Sequence, residues 1–161
     1  MFTRKNFVSS LLAISLVLGL SGVSSAATGE RSHDGHKAGA MELTLDSGRK
    51  WQGSDDLRKA MGEIRVAMAS RLDKIHKNKL PAKEYKTLAG AIQGQVDYMI
   101  EHCKLPVAED EQLHVVVSQI MEGIDEMEEG SQPRSGAVKI VQAHNAYGKF
   151  FNHPGWQPLG K

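Results

Sequence analysis

A single cysteine, Cys103, stands in a chain of 161 residues, so no disulfide forms within one molecule. That leaves the thiol three fates: a small buried hydrophobe, a partner for another chain, or a metal ligand. No Cys-x-x-Cys-His stretch occurs, so covalent c-type haem is not expected. Charge of one sign is also lacking, with 20 Lys and Arg against 19 Asp and Glu. Such a balance carries no electrostatic footprint for nucleic acid. There is no phosphate-cradling loop, no nucleophile with an evident base and no carboxylate pair set for acid–base work. A binding protein is expected rather than an enzyme.

Long apolar runs are scarce as well, and the one present lies at the start. Arg4 and Lys5 precede an apolar stretch from Phe7 to Leu20, and Ser24-Ser25-Ala26 supplies the small residues that a signal peptidase reads. The stretch is too short and too soon followed by Gly and Ser for a membrane span. Residues 1–26 are therefore expected to be a cleaved signal peptide, with a soluble periplasmic product and no transmembrane segment in the mature chain. Ala27, not cysteine, directly follows the cleavage point, which gives no sign of a lipoprotein anchor. Two of the 20 basic residues precede that point, leaving 18 against 19 acids and a mature net charge of about −1. Residues 27–42 are polar and rich in Gly and Ala, with little to bury, and read as a flexible tail. Within it His33, Asp34, His36 and Met41 offer imidazole, carboxylate and thioether donors, a mixture suited to copper or simply to a solvated linker.

Residues 43–157 carry the folded pattern. Leu43-Thr44-Leu45 alternates briefly, and Asp46-Ser47-Gly48 turns the chain towards Trp51. Ser54 is placed to cap a first helix, with Asp55 and Asp56 at the positive end of its dipole. Leu57, Met61, Ile64, Met68, Leu72 and Ile75 then form one stripe at spacings of three and four. After Asn78-Lys79-Leu80-Pro81, a second helix carries Tyr85, Leu88, Ile92, Val96, Met99 and Cys103, with Pro81 in its first turn. Leu105-Pro106 stops it. The third helix opens on Glu109, Asp110 and Glu111 and turns Leu113, Val117, Ile120, Ile124 and Met127 inward, with Gly130 as its C-cap. The fourth runs from about Ser135 with Ile140, His144, Tyr147 and Phe151 on one face, and His153-Pro154-Gly155-Trp156 ends it. Short loops make neighbouring helices antiparallel, so an all-α, up-down-up-down four-helix bundle is expected. Gly62, Gly90, Gly94, Gly123 and Gly148 fall inside helices, and close helix approach explains them better than room for a ligand.

That topology brings the start of the first helix, the end of the second, the start of the third and the end of the fourth to one end. Counting inward at about 1.5 Å per residue sets Met61, Met99, His114 and His144 at similar depth. Cys103, His153, Trp51 and Trp156 lie nearer the mouth, the tryptophans as apolar lids. His102 falls on another face, exposed to solvent. The candidate metal ligands are Cys103, His114, His153, His144 and Met61, with Met99 beside them. Thiolate, thioether and imidazole favour copper, while zinc is open through Cys and His alone. The competing reading is core packing: methionines at helical spacing fill cores, and a histidine on an apolar stripe is usually hydrogen-bonded.

The stretches His102-Cys103-Lys104-Leu105, Leu113-His114 and His153-Pro154-Gly155-Trp156 resemble a group of small exported four-helix-bundle proteins of proteobacteria, some called DnrO-like, over about Leu43 to Trp156. That resemblance implies the fold and little chemistry. Asp56-Leu57 followed by Met61, and Asn145-Ala146-Tyr147, are similar to the first and last helices of the soluble periplasmic b-type cytochrome of the four-helix-bundle class. There the methionine ligates haem iron and a histidine follows the tyrosine. Here Gly148 follows instead, and a haem would need His144, one turn earlier, as its ligand. Three functional expectations result: a periplasmic metal carrier or buffer, a structural or interaction module contacting an envelope protein partner, and a haem-binding electron carrier.

Overall fold

A computed structural model describes residues 42–160. The expected signal peptide, the tail histidines His33 and His36, and Met41 lie outside the described residues. Five helices follow in order: α1 (Asp55–Ala69), α2 (Leu72–His76), α3 (Ala82–His102), α4 (Val107–Glu129) and α5 (Pro133–Phe150). No strand occurs among the described residues, only isolated bridges pairing Asp46 with Arg49 and Trp51 with Phe151. No helix among them is long and apolar enough to cross a membrane.

The helix ends follow local chemistry. Ser54 has extended backbone, and its hydroxyl accepts from the Leu57 amide at 3.1 Å, satisfying one of the orphan donors of the first turn. Gly130 ends α4 at φ 76°, the left-handed conformation that glycine takes without a side-chain clash. Between α3 and α4, Cys103 and Pro106 are both extended, so four residues reverse the chain.

The expected first helix is two helices. Its apolar stripe continues through Met68, Leu72 and Ile75, yet the backbone breaks at Ser70-Arg71. The Ser70 hydroxyl donates to the Ala67 carbonyl at 2.8 Å, and the Arg71 amide donates to Met68 O at 3.0 Å, an i to i−3 bond that tightens the turn. Periodicity of the side chains does not register a break that leaves them in phase. Two other ends also differ: Pro81 is the N-cap of α3 rather than within its first turn, and α5 begins at Pro133, whose missing amide costs nothing there.

The core joins all the helices. Leu57, Met61, Ile64 and Met68 from α1 meet Leu88, Ile92 and Val96 from α3, and Ile120, Ile124, Met127, Ile140 and Tyr147 continue it through α4 and α5. The closest pairing is α4 with α5, where glycine faces glycine: a β-carbon on Gly123 would stand 2.7 Å from the Gly136 carbonyl, and one on Gly136 would strike the Gly123 carbonyl.

Contacts between distant residues gather four helix ends. Ser54 Oγ lies 3.8 Å from Cys103 Sγ, joining the start of α1 to the end of α3. The Gly53 amide donates to the Glu109 carboxylate at the start of α4. Trp51 donates from its amide to Phe150 O at 2.9 Å and accepts from the Asn152 amide at 2.7 Å, which ties the same segment to the end of α5. The Thr44 amide donates to Gln112 Oε1 at 2.7 Å, and the Trp51 indole donates to Thr44 O at 2.7 Å. Residues 43–53 thus form a strap across this end. Beyond α5 the chain folds back: Leu159 exchanges two hydrogen bonds with the Asn145 side chain (2.8 and 3.0 Å), and Arg65 of α1 donates to Gln157 O at 2.9 Å.

Candidate functional site

The strapped end holds two groups of candidate side chains, one at the α3–α4 joint and one around Trp156 beyond α5. The first is a cleft of about 310 Å³ at the α3–α4 joint, lined by Met99, Ile100, Cys103, Asp110, Leu113 and His114. Cys103 is the C-cap of α3, half-buried, with the Ser54 hydroxyl as its near polar neighbour. Burial pushes its thiol pKa up; the Ser54 hydrogen bond opposes this, and the charges of Asp56 and Asp110 add to it. His114 is exposed, one turn along α4 from Asp110, and its Nδ1 lies 2.8 Å from the Asp110 carbonyl oxygen. A carbonyl only accepts, so Nδ1 carries the proton and Nε2 keeps the lone pair in the neutral ring. That is the tautomer a ligating histidine needs.

The second group is aromatic and surrounds Trp156. Its indole stacks on His144 with ring centroids 4.1 Å apart, and His153 lies 4.9 Å from it. Tyr147 meets it edge-on at 5.0 Å and shares a 3.2 Å hydrogen bond with His153 Nδ1. His144 is fully buried and neither of its ring nitrogens has a hydrogen-bond partner. Burial holds its pKa down to about 4. The Met61 carbonyl and the Asn145 side chain favour the charged ring without reaching hydrogen-bond geometry, while Arg65 and His153 oppose it. Asn145 is committed to Leu159, which explains why it does not serve the imidazole. Burial also lowers the pKa of His153, with Arg58 adding to the effect, and raises that of the Tyr147 phenol.

The five expected ligands therefore divide. Cys103 and His114 line one cleft, and Met99 joins them. Met61 is buried in the core, its carbonyl beside His144, and His144 and His153 belong to the Trp156 group. Helix counting set His114 and His144 at one depth, but depth along the axis ignores which way a side chain leaves the helix. His114 points to solvent and His144 points inward. Among the described residues, no three His, Cys, Asp or Glu side chains gather as a metal site. Trp156 packs where a side chain at 148 would stand: a β-carbon on Gly148 would overlap the indole. The histidine that the cytochrome pattern has at this position has no space here. His102 is exposed, as expected, and stacks on Tyr98 at 4.2 Å.

Glu109 was hidden in the sequence. It reads as a solvated first-turn acid, yet it is 5% exposed and its carboxylate accepts from the Gly53 amide. Pro106, the N-cap of α4, has no side-chain acceptor, which leaves an acid three residues on as the natural polar group at that end. Its partner comes from 56 residues away and no local pattern announces it.

No protein-family model, no curated protein and no solved structure matches this chain.

Proposed function

We propose that this chain is an exported, periplasmic four-helix bundle that binds a soft metal ion, copper(I) first among them, at the α3–α4 joint. One observation carries the reading: Cys103, His114 and Met99 line a single cleft, with His114 Nε2 left free by the bond from Nδ1 to the Asp110 carbonyl. Thiolate, imidazole and thioether form a soft donor set that suits copper(I) with two or three ligands; zinc prefers four without thioether. The role is a carrier or buffer. Gathering of the four helix ends by Ser54, Gly53 and Trp51 supports the antiparallel bundle.

Because burial raises the Cys103 pKa, the thiol is protonated at neutral pH and the ion must displace that proton. Affinity for copper(I) is expected to rise with pH through the neutral range and to level off above the thiol pKa. Anaerobic competition with a chromophoric copper(I) chelator measures this. Wild type should take up one equivalent, and Cys103→Ala with His114→Ala should weaken binding at least about tenfold, as loss of a principal ligand does. Equal uptake by wild type and the double variant overturns the proposal.

A second reading has its own observation. Ile100 and Val107, on either side of the joint, are 75% and 77% exposed, apolar side chains that an envelope protein partner would cover. Stoichiometric copper(I) binding favours the carrier; its absence, with Ile100→Ser abolishing a cross-link to an envelope protein in cells, favours the interaction module. The haem carrier is the third reading, and a Soret band on haem addition would be its sign.

A further inference from the structure

At the opposite end of the molecule, two polar side chains of one cleft, Tyr85 and Arg134, are left without a partner among the described residues. A cleft of about 540 Å³ opens between the start of α3 and the start of α5, lined by Asn78, Leu80, Tyr85, Gln132, Arg134 and Val138 among others. Tyr85 is 3% exposed and its hydroxyl has no hydrogen-bond partner. A buried hydroxyl left unpaired is costly and uncommon. The Arg134 charge acts on that hydroxyl against the effect of burial, and both residues line the same cleft. Arg134 is exposed and forms no ion pair among the described residues. The cap of α5 is open too: Gln132 makes no side-chain bond, and the Ser135 and Gly136 amides turn back to its carbonyl, which leaves the Arg134 amide without a backbone acceptor. Glu126, which faces Gly136 in the first turn of α5, is paired with Lys139 at 2.8 Å. Leu80 and Val138 give the cleft an apolar wall.

We propose that this cleft is a binding site for a small carboxylate with an apolar body. The carboxylate sits at the amino end of α5, on the Arg134 guanidinium and amide, with the Tyr85 hydroxyl as donor from the floor, and the apolar body lies against Leu80 and Val138. An 18-residue helix presents a positive dipole end to the anion, and arginine matches the two oxygens of a carboxylate. The orphan hydroxyl then has its partner in the liganded state. This site is separate from the α3–α4 cleft and does not depend on metal binding there.

The test is a titration of the isotopically labelled full chain, read by amide chemical shifts, with benzoate as the probe. Benzamide is its neutral isostere and inorganic phosphate the bare anion. Benzoate should give saturable shifts at Arg134, Ser135 and Leu80, with benzamide and phosphate each at least about tenfold weaker. Arg134→Gln should weaken benzoate roughly tenfold. Tyr85→Phe should weaken it by about threefold or more while the melting temperature holds or rises, since the variant loses only an unpaired hydroxyl. A hydroxyl with a purely structural role would show the second effect without the first. Absence of saturable shifts with benzoate, equal binding of phosphate or benzamide, or unchanged benzoate affinity in both variants overturns the proposal.

Discussion

Burial with no hydrogen-bond partner makes His144 a neutral base enclosed by the fold. Its pKa falls from 6.5 to about 4, so between those values the unfolded chain binds a proton that the folded chain refuses. The stability it supports is present above pH 6.5 and is lost as pH falls towards 4, to a limit on the order of 3 kcal/mol. His144→Leu should remove this slope. Urea unfolding of both proteins at pH 7 and pH 4.5 should show a smaller acid-induced loss in the variant. Equal losses would mean that His144 finds a partner the structure does not show. The same neighbourhood makes Gly148 intolerant: a methyl group there displaces Trp156 from His144 and Tyr147. Gly148→Ala should cost about 1–3 kcal/mol, as overpacking does, and should shift the tryptophan emission to the red.

Among the elements, the strap of residues 43–53 has no fully buried side chain and is held by hydrogen bonds to α4 and α5. Glu109 is its anchor on α4, as Trp51 is on α5. Glu109→Ala leaves the Gly53 amide without its acceptor and should cost about 1–3 kcal/mol. The effect should be local: hydrogen exchange speeds up at the Thr44 and Trp51 amides and stays slow at Ile120 and Ile124 in α4. Uniform acceleration would instead place Glu109 in the support of the whole core. The helices themselves were legible because each carries an apolar stripe in phase and a chemical signal at its ends. Ser54 and Gly130 mark two of these ends as expected. The break at Ser70 was not legible, because a hydroxyl that competes for a carbonyl leaves Leu72 and Ile75 on the same stripe. The partnership of Glu109 with Gly53 was invisible for a different reason: it is a contact between segments, set by topology rather than by local sequence.

Across the whole molecule, Cys103, Met99 and His114 share a cleft at the joint after α3, although helix counting set Cys103 nearer the mouth than the other two. Met61 and His144 were set level with His114 by depth, and direction around the helix separates them; His153, beyond α5, packs on Trp156 instead. Glycine shows the same division between what local sequence tells and what packing decides. A glycine inside a helix costs about 1 kcal/mol against alanine wherever it stands, yet the five glycines read as helix-packing sites are not equivalent. An added β-carbon meets nothing within 4 Å at Gly62, Gly90 or Gly94, but meets Ile140 and the Gly136 carbonyl at Gly123. Gly90→Ala and Gly94→Ala should each raise stability by about 0.5–1 kcal/mol. Gly123→Ala and Gly136→Ala should each lower it by about 1–3 kcal/mol. The last two face one another across α4 and α5, so the pair should cost less than their sum: once one methyl group has parted the helices, the second meets a widened gap. Urea unfolding of the four single variants and the Gly123→Ala, Gly136→Ala double variant measures all of this. Strict additivity of that pair would show that the two glycines do not share one contact, and would contradict the close approach of α4 to α5.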